Sequence, residues 1–148
     1  MRSSFIRSSC FSITLSLFIA GAAYSASKGS ITRALFTTQV KDREPVNQVL
    51  MLTNVIKTIS FFTDVRNMDG KTITHFWEYE GKPVSQKEFE IKGSRRRVYS
   101  ELDLDSTMTG AWSVIVRDEN GWPLKVVTFK YVDSTIATSQ TMILSAGK

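Results

Sequence analysis

Cysteine is nearly missing from this chain. Cys10 is the only one in 148 residues, and there is a single histidine, His75. That inventory excludes an internal disulfide framework, zinc sites built from several His or Cys, and a Cys/His nucleophilic pair in any product that has lost Cys10. Proline is down to three residues and no internal repeat is present. Long apolar runs are also absent: the greasy stretch from Phe11 to Ala23 is broken by Ser12, Thr14 and Ser16. It falls short of the roughly 20 consecutive apolar residues that a bilayer crossing needs.

What the N-terminus does contain is the order of a secretory signal peptide. Arg2 and Arg7 come first, the apolar run follows, and Ala23-Tyr24-Ser25 supplies small residues for a cut after Ser25, with Ala20-Gly21-Ala22 as a second option. Cys10 precedes the run, which is the wrong side for a lipid-anchored cysteine. Residues 1–25 are therefore expected to be removed, leaving no stable membrane span and placing the mature protein in a periplasm or outside the cell. Cys10 leaves with the signal, so stability must come from burial alone. About 120 residues remain, enough for one core. The charge falls from +5 to +3 once Arg2 and Arg7 are gone. That is too mild and too interspersed for a nucleic-acid partner.

From Ser30 to Tyr131 apolar residues recur at every second position, the period of half-buried strands. Ala34, Phe36, Thr38 and Val40 share one face; so do Ile59, Phe61, Thr63 and Val65, and then Ile73, His75, Trp77 and Tyr79. Weaker runs cover Lys87 to Ile91 and Arg95 to Leu102. Trp112, Val114 and Val116 and then Val127, Phe129 and Tyr131 close the series. Turn chemistry separates the runs at Met68-Asp69-Gly70, Glu80-Gly81-Lys82-Pro83, Lys92-Gly93-Ser94 and Asn120-Gly121. Seven short strands so spaced predict an all-β fold, a small antiparallel immunoglobulin-like β-sandwich over residues 30–132, with Trp77 as its core tryptophan. Lys41 to Val55 reads as a loop with one helical turn. Residues 133–148, rich in Ser and Thr, read as a flexible tail with room for one extra strand.

Candidate chemistry is sparse. His75 alternates in phase with Trp77, which favours a structural ring; no serine sits in a Gly-x-Ser-x-Gly elbow, so a small envelope hydrolase using His75 is the alternative rather than the main reading. The acid pairs Glu78/Glu80, Glu88/Glu90 and Asp103/Asp105 lack the spacing of a calcium loop and read as solvated strand faces, so neither a metal nor a cofactor is expected. Arg95-Arg96-Arg97 is the one charge concentration. On a strand Arg95 and Arg97 share a face with Tyr99, a surface suited to phosphate or carboxylate, as on an anionic glycan or lipopolysaccharide, while Arg96 joins Val98. If that face is exposed, changing Arg95 and Arg97 to Ala should move stability by no more than about 1 kcal/mol. Trp122, after the Asn120-Gly121 turn, is a further candidate binding platform.

The ordered series Arg33-Ala34-Leu35-Phe36-Thr37-Thr38, Arg43-Glu44-Pro45, Phe61-Phe62-Thr63, Thr74-His75-Phe76-Trp77-Glu78-Tyr79, Arg95 to Ser100 and Thr109-Gly110-Ala111-Trp112 resembles the bacterial domain-of-unknown-function family numbered 2914. The resemblance runs from Thr32 to about Tyr131. It implies a small extracytoplasmic or membrane-attached β domain without an assigned reaction, with His75, Trp77, Tyr79, Arg97 and Trp112 as family-like positions. The expectation is an exported, non-enzymatic binding or protein-interaction module whose partner is an envelope protein or a glycan.

Overall fold

The computed structural model describes residues 28–135; the expected signal segment 1–25 and the tail beyond residue 135 lie outside the described residues. Ten strands follow in order: β1 (Ser30–Thr37), β2 (Val40–Lys41), β3 (Glu44–Pro45), β4 (Met51–Thr53), β5 (Thr58–Arg66), β6 (Thr72–Tyr79), β7 (Lys82–Glu90), β8 (Arg95–Asp103), β9 (Gly110–Asp118) and β10 (Pro123–Val132). The protein is all-β, and the alternating runs form strands, except that β1 ends at Thr37, so Thr38 and Val40 leave the face expected of them and Val40 opens β2 in a separate hairpin, and Ile91 lies just past β7. The Gly70, Gly81, Gly93 and Gly121 turns sit between consecutive strands with φ between 74° and 83°.

Three strands were not anticipated. The segment read as a loop with a helical turn is instead the β2–β3 hairpin followed by β4. Asp42 and Arg43 both take positive φ, 51° and 63°, which closes a tight two-residue turn. Downstream, β10 captures β4 in parallel, flanked by Lys130 N–H donating to Leu50 O at 3.0 Å and Asn54 N–H donating to Val132 O at 2.9 Å. Met51 is exposed and Leu52 buried, the period of a strand and not of a helix. β7 also begins five residues early, at Lys82. Pro83 lies inside it, tolerated because β7 is the edge of its sheet and no ladder bond on its free side is lost.

β1-β5-β8 form one sheet and β4-β10-β9-β6-β7 the other, all pairs antiparallel except β4 with β10. The inner faces meet over an aromatic centre. The Phe36 ring lies 4.9 Å from Phe61 in its own sheet, and 5.6 Å from Trp77 and 4.6 Å from Phe129 across the gap. Ile59, Val65 and Val98 extend the core on one side, and Ile73, Trp112, Val114, Val116 and Tyr131 on the other. Each such side chain contributes about 1.5–3 kcal/mol by leaving water.

One close approach ties the β6–β7 turn to β9. Ala111 N–H donates to Glu80 Oε1 at 2.6 Å, and a Cβ on Gly110, whose φ is +146°, would run into that carboxylate. Gly110→Ala is thus expected to cost about 1–3 kcal/mol in urea unfolding, from backbone strain and the displaced acid together. A change below a few tenths would show that the turn yields freely.

Candidate functional site

The alternation of β5 points Ile59, Phe61, Thr63 and Val65 inward and leaves Phe62, Asp64 and Arg66 on the outer face of the three-stranded sheet. Register does the rest. Arg33 of β1 and Arg97 of β8 stand opposite Asp64, Arg95 stands opposite Arg66, and Tyr99 and Leu35 flank Phe62. The one acid of β5 is thereby surrounded by guanidiniums.

Arg95 is the main partner: its Nε donates to both Asp64 oxygens, at 3.0 and 3.1 Å, and its Nη2 also donates to Oδ2. Arg66 Nε lies 3.7 Å and Arg97 Nε 3.9 Å from the same carboxylate. The Asp64 side chain is 1% exposed, covered by the arginines and not by the core. The Arg95 bond, helped by the charges of Arg66 and Arg97, holds its carboxyl below the usual range, and Asp64 in turn raises the Arg95 guanidinium above its own. The β2–β3 hairpin supplies a second acid. Glu44 accepts from Arg33 Nη1 at 2.7 Å and pairs with Arg97 Nη1 at 2.9 Å, and the Arg33 bond is the main reason its carboxyl is lowered.

Beside these pairs lies a hollow of about 380 Å³ lined by Arg43, Phe62, Arg95, Arg96, Arg97 and Tyr99. Arg43 and Arg96 enter no ion pair among the described residues. Phe62, beneath the Arg33 guanidinium at 5.2 Å, and the half-exposed Tyr99 give the hollow two aromatic walls. Arg96 borders the hollow from the strand face it shares with Val98, opposite Val65, so the unpaired guanidinium on the Phe62 and Tyr99 side is that of Arg43, which can take a planar or tetrahedral oxyanion in forked hydrogen bonds.

Of the residues singled out from sequence, the fold brings Arg95, Arg97 and Tyr99 together and leaves two elsewhere. Trp122 is 71% exposed at the β9–β10 turn of the other sheet. His75 is fully buried between the sheets. Its Nδ1 meets Ser100 Oγ at 2.9 Å and its Nε2 meets Thr63 Oγ1 at 3.1 Å, while Trp77 Nε1–H donates to the same Ser100 oxygen at 3.0 Å. A neutral ring satisfies both hydroxyl contacts in either tautomer: Ser100 donates to Nδ1 while Nε2–H donates to Thr63, or Nδ1–H donates to Ser100 while Thr63 donates to Nε2. Burial, with a smaller push from Lys87, drives the ring pKa down to about 3. A serine does stand beside this histidine, but both are sealed from solvent, so His75 presents no surface to a ligand.

The arginines also behave differently from expectation. Arg95 is anchored on a buried acid, so Arg95→Ala and Arg97→Ala together would strand the Asp64 charge, and the limit of about 1 kcal/mol that suits exposed pairs no longer applies. Sequence reading missed Asp64, Glu44, Arg33 and Arg43. Asp64 carried a signal, an acid among Phe61, Phe62, Thr63 and Val65; the others depend on the hairpin fold.

Among the described residues there is no group of three or more His, Cys, Asp or Glu able to hold a metal, and no helix long and apolar enough to cross a membrane. No curated protein matches the chain. Residues 70–131 match a family model described as protein of unknown function (DUF2914), a segment from the turn before β6 to the end of β10. The match takes in Arg95, Arg96, Arg97 and Tyr99 and leaves out Asp64 and the β2–β3 hairpin. Over residues 70–131 the chain is thus similar to the DUF2914 family of proteins of unknown function.

Proposed function

We propose that this protein is a non-enzymatic binding module of the bacterial cell envelope, periplasmic or secreted, built as an immunoglobulin-like sandwich. Its strand order supports that reading: β1-β5-β8 correspond to strands A, B and E, and β6, β9 and β10 to C, F and G, with Trp77 on the strand where such domains bury a tryptophan. The signal-like N-terminus supports export. The observation that carries the binding role is the hollow on the small sheet, lined by Phe62, Tyr99 and four arginines, of which Arg43 and Arg96 have no carboxylate partner among the described residues. Its ligand is an anionic group on a glycan or protein of the envelope. The hydrolase alternative needs a solvent-facing base, and His75 has no exposed surface.

Calorimetric titration of the full chain with oligogalacturonate, against a neutral maltose oligomer, tests this. Binding should be confined to the acidic oligomer and should weaken as salt screens it. Arg43→Asn with Arg96→Gln should leave the unfolding midpoint in place and weaken binding about tenfold or more, the loss of two charge-assisted contacts. Equal binding by the double variant, or by the neutral oligomer, rejects the site.

A further inference from the structure

β8 is the outermost strand of the three-stranded sheet and pairs only with β5. No backbone hydrogen bond among the described residues leaves its other edge. A free edge nine residues long is a template for another strand, and proteins ordinarily guard such edges with charge. Here the charges are sorted by sign along the strand. Arg95, Arg96 and Arg97 open it, Tyr99 stands at its middle, and Glu101 and Asp103 close it.

We propose that this edge pairs antiparallel with the β8 edge of a second copy of the chain, about a two-fold axis at Tyr99. In that register Arg95 faces Asp103, Arg97 faces Glu101 and Tyr99 faces itself, all on the outer face of the sheet. A parallel pairing sets like charges side by side. Sliding the antiparallel pair by two residues loses both and leaves a single kind of ion pair within the strand, Arg97 with Asp103 or Arg95 with Glu101, and sliding it by one turns the facing side chains to opposite faces. The even register also keeps the outward backbone groups of both copies in phase, as an antiparallel ladder requires. The result is an isologous contact that joins two three-stranded sheets into one of six, a closed dimer with no strand left to propagate from β8.

The acids on β8 are available for this role. Glu101 accepts only from Ser60 Oγ at 3.2 Å and Asp103 only from Thr58 Oγ1 at 2.9 Å, and neither enters an ion pair among the described residues. Tyr99 is 47% exposed and its side chain has no hydrogen-bond partner among the described residues. The contact shares Arg95, Arg97 and Tyr99 with the lining of the hollow, but it is read as self-association of the chain alone, so its failure is distinguishable from a failure of anion binding.

Sedimentation velocity on the full chain from micromolar to submillimolar concentration reads the outcome. The protein should dimerise, less tightly at high salt. Glu101→Arg and Arg97→Glu should each weaken self-association about tenfold or more, because like charges then face each other. An equimolar mixture of those two variants should dimerise again, since each now presents the sign the other lacks. A monomer at every concentration overturns the proposal. So does a dimer indifferent to Glu101→Arg, or two folded variants that fail to pair with each other. If Arg97→Glu does not fold beside Asp64, Tyr99→Lys takes its place: it should dissociate the dimer, whereas Val126→Lys, on the outer face of the other sheet, should not. The reverse pattern assigns the contact to the larger sheet and overturns the β8 edge.

Discussion

Asp64→Ala is expected to cost the folded protein about 2–4 kcal/mol, read as a drop in the urea midpoint at neutral pH. Removing one partner of a buried ion pair strands the charges it held, usually at about 3–5 kcal/mol. The lower range applies because the arginines around Asp64 remain partly exposed, Arg95 at 37% and Arg66 at 43%, so water screens what is left. Arg95→Ala should fall toward the same range, since it leaves Asp64 buried with only the longer contacts to Arg66 and Arg97. The pH dependence has a definite sign. The folded carboxyl titrates below its ordinary value of 3.8, so its stabilisation is complete above that value and is lost as pH falls through the lower folded one. Asp64→Ala should therefore show a shallower loss of stability in that acid range than the parent. Equal acid profiles in the two proteins would show that the arginine cluster carries none of the stability.

A second large effect belongs to His75 and lies at higher pH. Folded, its ring titrates at about 3 against 6.5 for a free imidazole, so on acidification the unfolded chain takes up the proton first. Stability is complete above 6.5 and declines as pH falls toward 3. At about 1.4 kcal/mol for each unit of pH, the loss between pH 6.5 and 4.5 is about 2–3 kcal/mol, a large share of a small domain's total. Asp64 contributes little over that window, so the two groups separate on one pH series. Because the chain has one histidine, its ring signals in NMR are unambiguous. They should not move between pH 7 and the acid unfolding transition, and His75→Gln should flatten the stability profile over the same window, at a lower overall level. A ring that titrates near 6.5 in the folded protein would refute the buried neutral histidine.

How much of this was legible depended on the range of the interactions. The seven alternating strands and the glycine turns between them are local: period two and positive φ are written residue by residue. The common face of Arg95, Arg97 and Tyr99 is local in the same way, since a strand places alternate residues together. β2, β3 and β4 were missed because their pairing partners are remote or brief. Residues 51–53 become a strand only when β10 lies beside them, and nothing within Lys41 to Val55 announces that. The early start of β7 was hidden by Pro83, which signals a turn until the strand is known to be an edge.

The candidate site divides along the same line. By itself the sequence determined that the core would be one of alternating strands, that no internal disulfide or multi-histidine site was available, and that three arginines would stand on one strand with a tyrosine in phase. Tertiary structure alone decided what those arginines do. Register set Asp64 among them, the hairpin brought Glu44 over their face, and the order of strands left the β8 edge open. The physical reason is that side-chain periodicity is a property of one strand, whereas the neighbour across a ladder and the loop folded above it are chosen by contacts between residues far apart in the chain.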